Sequence, residues 1–175
     1  MEQKLDSNYV KKYPYKVNVN YLTQAETKLM QELLKYLRNK VGDRVILGIK
    51  SRVADIVQLD DVLIDAYKLD KYSALRAIAE KHIDFTVVDV TKGVVICCIE
   101  LDDVYHNRYD NIQKDIFKDE IFRECGIPLF RIKTKIANLD PEQDFRRIYE
   151  ETLQYFAPTC PNCGNPMVVK QDRFG

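Results

Sequence analysis

The sequence predicts an α/β fold in which helices flank both faces of a mixed central sheet. Its patterns indicate the element order α-β-β-β-α-β-α. The central signal is residues 82–106, which read as a strand, a tight turn and a second strand with an almost unbroken apolar run. A second signal lies near the start of the chain, where apolar side chains keep helical spacing: Leu22, Ala25, Leu29, Leu33 and Leu37.

Composition indicates one ordinary domain with at most a small appendage. The chain has 175 residues, of which 46% are hydrophobic and 31% charged, so a packed core is expected. The formal net charge is zero, so any DNA-binding surface must be a local patch. No apolar run is long enough to span a bilayer and no signal peptide is recognisable, so we expect a cytoplasmic protein that does not bind membranes.

The N-terminal part divides into an arm, a helix and strands. Residues 1–20 are polar and lysine-rich without periodicity, and they are predicted to form a flexible arm. The first helix begins at Thr23, where Glu26 three residues later completes a capping box. Residues 45–49 and 53–57 are rich in β-branched residues and are predicted to be strands.

The second half contains two further helices around one strand. Before it, residues 58–81 are the least regular stretch, in which Ser73 is predicted to cap a short helix through Ala79. A helix over 110–125, a strand over 129–133 and a last helix that opens at Asp140-Pro141 follow. The apolar face of that last helix is predicted to extend to residue 156.

Acidic side chains cluster at the open end of the central hairpin. A three-residue turn at 91–93 pairs Val90 with Val94 and, further along, Asp84 with Glu100. Two adjacent carboxylates repel each other unless a proton or a cation lies between them, and Mg²⁺ binds carboxylate and carbonyl oxygens. A shared metal site and two solvated acids at strand ends are both compatible with this spacing.

The same stretch resembles a nuclease family. Asp84, the short hairpin and Glu100-Leu101-Asp102 resemble the core of the restriction-endonuclease-like, PD-(D/E)xK superfamily. A longer string resembles bacterial domains related to very-short-patch repair endonucleases, and among them an uncharacterised domain that is often followed by a topoisomerase-type zinc finger. That string consists of Asp84-Phe85, Ile99 to Asp103, His106, Asp115, Gly126 and Arg131. The resemblance covers about residues 20 to 170 and implies a nuclease-like domain over 21–157.

The resemblance also implies roles for particular residues. Asp84 and Glu100 would hold Mg²⁺ or Mn²⁺ with a carbonyl near Leu101. Glu26 would lie at the metal site, whereas the alternative for that residue is helix capping alone. The superfamily usually has lysine two residues after the glutamate, where this chain has Asp102, so the catalytic cation must come from elsewhere. The candidates for this cation are Lys114, Lys118, His106 and His82. The two histidines are also candidates for the general acid or base.

The C-terminal segment, residues 158–175, resembles half of a zinc finger. Cys160 and Cys163, here called the tail cysteines, have the Cys-x-x-Cys spacing of a zinc knuckle. Structural zinc requires four ligands, and no second cysteine pair follows in this sequence. Zn²⁺ is therefore expected only if the pair is completed elsewhere, and no closed four-ligand site is predicted within one protomer.

Three functions are compatible with these observations. The resemblance favours a metal-dependent endonuclease acting on DNA, or on RNA. A non-catalytic nucleic-acid-binding module that kept the nuclease fold is the first alternative, and the absent lysine and neutral net charge favour it. An interaction domain without any role in nucleic-acid binding is the second alternative.

Overall fold

The computed structural model describes residues 18, 20–103, 109–134 and 141–154; for residues 103, 109–114, 133–134 and 141–142 it describes the backbone only. The helices are α1 (Gln24–Val41), α2 (Val53–Ile56), α3 (Asp61–Ala66), α4 (Lys71–Ala79), α5 (Tyr109–Glu124) and α6 (Pro141–Ile148). The strands are β1 (Val45–Arg52), β2 (His82–Asp89), β3 (Val94–Asp103) and β4 (Leu129–Thr134). A 3₁₀ turn at Gly42–Arg44 follows α1, and a π turn at Tyr149–Leu153 follows α6.

The four strands form one mixed sheet in the order β1-β2-β3-β4. The pairs β1–β2 and β2–β3 are antiparallel, whereas β3 and β4 are parallel. A parallel pair needs a long crossover connection, and α5 supplies it between β3 and β4. The mixed sheet flanked by helices that the sequence predicts is therefore confirmed.

One apolar cluster joins α1 and α6 to the first face of the sheet. Leu29 and Leu33 of α1 and Phe145 of α6 pack with Phe85 of β2 and Ile99 of β3. Each of these five side chains is at most 1% exposed. The burial of large apolar side chains on this scale is the main term that stabilises a domain. The helical spacing of the leucines in α1 has its physical basis in this contact.

A second apolar cluster lies on the other side of the sheet. It includes Cys98 of β3, Phe122 of α5, Val53 of α2 and Ile78 of α4. Cys97, the residue before Cys98, belongs to the first cluster. Successive residues of β3 therefore point to opposite faces, as the period of a strand requires, and both faces are covered.

The turn of the β2–β3 hairpin differs from the prediction. Asp89 pairs with Val94, so the turn has four residues, 90–93, instead of the predicted three. The carboxylate of Asp89 accepts hydrogen bonds from the amide of Thr91 at 2.8 Å and from its hydroxyl at 2.6 Å. Gly93 has φ of 67°, a left-handed conformation that glycine adopts without strain. These hydrogen bonds from Thr91 to Asp89 stabilise the four-residue turn. The period-2 pattern of the strand does not reveal this role of Asp89.

A bulge in β3 follows the turn and shifts the register by one residue. Ile96 has no opposite residue between two successive pairs: Val88 with Val95, and Val87 with Cys97. Phe85 then pairs with Ile99, and this pairing is in the predicted register. The bulge thus compensates for the extra residue in the turn.

The segment 53–57, predicted to be a strand, instead begins with helix α2. The amide of Val53 donates a hydrogen bond to the carbonyl of Lys81 at 2.8 Å, and Val57 closes the helical turn onto Val53 at 2.9 Å. Val53 is fully buried and Val57 is 8% exposed, both in the second cluster. Tertiary burial overrides the β preference of these residues here.

The stretch that the sequence left least defined forms two capped helices. Asp60 caps α3 by accepting hydrogen bonds from the amides of the first turn. Asp70 caps α4, and its carboxylate accepts from the amide of Ser73 at 2.8 Å. Ser73 is therefore inside the helix, and the prediction that it is the cap is wrong.

Several predictions concern residues outside the described part of the chain. These are the arm up to residue 17, the end of the last helix at residue 156 and the zinc-finger segment 158–175. Among the described residues, no helix has both the length and the hydropathy needed to cross a membrane.

Candidate functional site

The carboxylates predicted to lie together share one end of one sheet face. Thr86 pairs with Cys98 and Phe85 with Ile99, and the next step of this register places Asp84 opposite Glu100. The negative charge of Asp84 contributes to raising the pKa of Glu100, as expected for neighbouring carboxylates. The hairpin thus brings these two side chains together across a separation of 16 residues in sequence.

A lysine from β1 joins Asp84 to the first helix. The ammonium of Lys50 donates hydrogen bonds to Oδ1 of Asp84 at 2.9 Å and to Oε1 of Glu26. The other oxygen of Asp84, Oδ2, accepts the amide of Leu101 at 3.0 Å. Because both Asp84 oxygens are bonded, one to β1 and one to β3, this carboxylate is fixed at the centre of the sheet end.

Glu26 has a capping role and also contacts the site. Its Oε2 accepts the amide of Thr23 at 2.7 Å, and its own amide donates to Thr23 Oγ1 at 3.2 Å, so the predicted capping box is present. Its Oε1 accepts the ammonium of Lys50. Burial raises the pKa of Glu26, but the hydrogen bonds from Lys50 and Thr23 lower it more, so the pKa lies below its ordinary value.

The backbone of Lys50 has an unusual conformation for a strand residue. Its φ is 51°, in the left-handed region that side chains other than glycine seldom adopt. The residues on either side pair regularly with β2, Ile49 with Phe85 and Ser51 with Ile83. Strain of this kind persists only where surrounding contacts maintain it, and it is concentrated at functional sites. The two carboxylates bound by Lys50 are such contacts.

Glu100 is the most buried acid of the group and is incompletely paired. Its side chain is 9% exposed, and its Oε2 lies 2.5 Å from the ammonium of Lys118 and 3.8 Å from the guanidinium of Arg131. Among the described residues, no hydrogen-bond partner reaches the buried atom Oε1. Burial is the largest effect on the pKa of Glu100, and together with Asp84 it outweighs the two cations, so this pKa is raised. A buried carboxylate oxygen without a partner is costly unless a proton or a cation binds it.

Arg131 of β4 binds Asp102, the acid two residues after Glu100. Its guanidinium lies 3.0 Å from Asp102, 3.3 Å from Asp115 and 3.0 Å from Asp119. The last two acids are on α5, so Arg131 ties β3 and β4 to this helix. Asp102 therefore serves here as a partner of Arg131.

The predicted site residues fall into four groups. Glu26, Asp84, Glu100 and Lys118 come together, with the backbone of Leu101 between the two strand acids, whereas Asp102 turns to Arg131. His82 is exposed and acts electrostatically on Asp55, outside this group. The remaining candidates lie outside the described residues or have undescribed side chains: His106, Lys114 and the tail cysteines.

Sequence reasoning missed Lys50 and the pairing of Arg131. One signal was present for Lys50, a single charged residue at the end of the apolar run Val45 to Ile49, in the strand next to Asp84. In the described ranges, no three side chains of His, Cys, Asp or Glu converge as ligands for a metal. The ammonium of Lys50 lies between the carboxylates of Glu26 and Asp84 and forms an ion pair with each.

Comparison with known proteins places the chain in an uncharacterised family. Neither the curated proteins nor the solved structures contain a match to it. A family model described as "Protein of unknown function (DUF2726)" matches residues 19–147, which is most of the chain and includes every element from α1 to the greater part of α6. The chain therefore belongs to the DUF2726 family.

Proposed function

We propose that this chain is a metal-dependent nuclease of the PD-(D/E)xK type that hydrolyses phosphodiester bonds in DNA. The observation that carries the proposal is the grouping of Asp84, Glu100 and Glu26 at one end of the sheet. These acids come from a hairpin and from the first helix, the positions that the resemblance to this superfamily implies. Two lysines bind them directly, so the group combines anionic ligands with cations.

The residues at the sheet end fit a divalent cation. Carboxylate and carbonyl oxygens are the ligands that Mg²⁺ and Mn²⁺ prefer, and Glu100 has a buried oxygen without a partner among the described residues. Asp84 and Glu100 would hold the ion, and the carbonyl of Leu101 is the third candidate ligand. When bound, the ion would polarise the phosphate and lower the pKa of an attacking water.

The protein's own side chains would organise the charge around the phosphate. Lys118 is 12% exposed and held at 2.5 Å by Glu100, so it presents a fixed ammonium beside the anionic transition state. Arg131 binds Asp102 at 3.0 Å and so holds this carboxylate apart from the other acids. This pairing limits the negative charge that faces the substrate. Lys114 and His106 remain candidates for the same chemistry.

One observation favours the non-catalytic alternative. Lys50 and Lys118, the ammonium groups next to the carboxylates, are already in ion pairs. Asp102 stands at the position where the superfamily usually has lysine, and it is bound to Arg131. A nucleic-acid-binding module that has lost hydrolysis would show the same pairing. Binding without cleavage would identify it.

A cleavage assay with matched variants tests the proposal. Supercoiled DNA, single-stranded DNA and RNA are incubated with the full chain in Mg²⁺, Mn²⁺ or EDTA. We expect metal-dependent cleavage by the wild type, and a loss of about 100-fold or more in Asp84→Asn and Glu100→Gln, because each removes an ionic ligand. Asp89→Asn is the control, since it makes the same change at the other end of β2.

Three outcomes are informative. Equal cleavage by all four proteins would place the activity elsewhere or in a contaminant. No cleavage by the wild type with either metal would end the nuclease proposal. Retarded migration of DNA in EDTA, without cleavage in metal, would support the binding module instead.

A further inference from the structure

We infer that Lys50 is a built-in counter-ion of the metal site, whose ammonium must release Asp84 before a divalent cation binds there. The inference rests on the metal site of the proposed function and adds a competitor to it. The lysine holds Asp84 at 2.9 Å and Glu26 in a second ion pair. A divalent cation that binds Asp84 must therefore displace the ammonium of Lys50 from that carboxylate.

The hydrogen bonds at the two acids show where the competition arises. Asp84 uses Oδ2 for the amide of Leu101, and Glu26 uses Oε2 for the amide of Thr23. Lys50 occupies Oδ1 of Asp84 and Oε1 of Glu26, the oxygens of these carboxylates that do not accept those backbone amides. The same positive charge would also repel a metal ion bound beside it.

A second observation indicates that a cation belongs here in addition to the lysine. Glu100, opposite Asp84, is nine-tenths buried, and its Oε1 has no partner among the described residues. Lys118 binds only the other oxygen of this carboxylate. A metal ion next to Asp84 would supply the missing partner of Glu100, which neither lysine does.

Lys50 can move without unfolding the site. Its side chain is 27% exposed, so water reaches the ammonium, and the flexible stem of lysine allows it to swing away from Asp84 while it keeps Glu26. The backbone at this position is left-handed, with φ of 51°, and the side chain binds both acids. The lysine therefore stabilises the apo protein and opposes the metal.

The test measures Mn²⁺ binding instead of cleavage. Isothermal titration calorimetry with MnCl₂ is performed on the wild-type chain of 175 residues, on Lys50→Met and on Lys50→Gln as a second neutral variant. We expect both variants to bind Mn²⁺ about fivefold more tightly, the gain that corresponds to one partly exposed ion pair that no longer needs to be broken. In EDTA their melting temperatures should fall, because Glu26 and Asp84 then lack their shared cation.

Two controls separate the lysine's position from its charge. Arg52→Met removes a cation two residues further along β1, where the side chain is 57% exposed and pairs with Asp55, so its Mn²⁺ affinity should stay at the wild-type value. Lys50→Arg keeps the charge and should not gain affinity. Unchanged or weaker binding in both neutral variants, no binding in any protein, or an equal gain in Arg52→Met would overturn the inference.

The outcome is independent of catalysis. If the Lys50 variants bind Mn²⁺ more tightly but the chain cuts no nucleic acid, the role of Lys50 as counter-ion stands and the nuclease proposal fails. If the chain cuts DNA but the Lys50 variants bind Mn²⁺ like the wild type, only the role of Lys50 as counter-ion fails.

Discussion

Gly48 of β1 lies where no side chain fits, and its replacement by alanine gives a quantitative test of the sheet. Gly48 pairs with Thr86 of β2, and an added Cβ would lie less than 3.0 Å from Thr86 Oγ1 and 3.3 Å from Ser51 Oγ. Thr86 is 2% exposed, and its hydroxyl lies 3.2 Å from that of Ser51. The threonine cannot turn away without breaking this hydrogen bond inside a packed layer.

The two energy terms of this substitution have opposite signs. Forcing an extra methyl into a packed site costs about 1–3 kcal/mol. Alanine restricts the unfolded chain and returns about 0.4–1 kcal/mol. We expect Gly48→Ala to lower the free energy of unfolding by about 1–2 kcal/mol, and the melting temperature by roughly 2–8 °C for a chain of this size.

Urea denaturation of a double-mutant cycle tests the reason for this loss. Thr86→Ala removes the hydroxyl and leaves the Cβ of residue 86 at 3.8 Å from the added methyl, an ordinary contact. Gly48→Ala in that background should be neutral or stabilising by about 0.4–1 kcal/mol. Thr86→Ser keeps the hydroxyl and should keep the full penalty. If Gly48→Ala costs the same in every background, the close approach of β1 and β2 at this point is wrong.

Two further predictions concern titrating groups away from the site. Hydrogen bonds from Thr91 hold the pKa of Asp89 below its ordinary value, so its stabilising effect is present above the pKa of the unfolded chain and is lost as pH falls through the lower folded pKa. Asp89→Asn should therefore be less stable than wild type in urea at pH 7, and the difference should shrink towards pH 3; a difference that is independent of pH would contradict this. Burial raises the pKa of Cys97 to about 12 and that of Cys98 above its ordinary value, whereas Cys125 is exposed. With both tail cysteines changed to serine, a thiol reagent at pH 8 should label one cysteine rapidly and the other two only in denaturant; rapid labelling of two or more would show that the central strand is accessible.

Local chemistry made part of the fold predictable. The capping box at Thr23 needs only two side chains three residues apart, and it forms as the sequence indicates. The alternation in residues 82–89 fixes which side chains share a face, so the position of Asp84 opposite Glu100 could be predicted. The turn was less predictable because Asp89 bonds its own backbone, and the bulge at Ile96 restores the register only by a compensating irregularity.

Contacts between distant segments limited the prediction elsewhere. Val53 and Val57 have the composition of a strand, but their burial against α4 and α5 selects a helical turn. Lys50 is 24 residues from Glu26 and 34 from Asp84 in the sequence. Its backbone is left-handed, a conformation that no residue pattern predicts at this position. None of the cations that the sequence indicates, Lys114, Lys118, His106 and His82, lies in β1, which supplies Lys50.

The parallel pairing of β3 with β4 accounts for the partner of Asp102. This pairing sets Arg131 beside Glu100 and places it 3.0 Å from the carboxylate of Asp102. A lysine at position 102 would lie close to the guanidinium of Arg131, and the ammonium of Lys118 is already next to Glu100. Positive charges so close together would repel each other and destabilise the fold. Asp102 instead neutralises Arg131, while Lys50 contributes the positive charge on the other side of Asp84. The positive charges around the strand acids thus come from β1, β4 and α5, and Asp84 and Glu100 each have one ammonium partner.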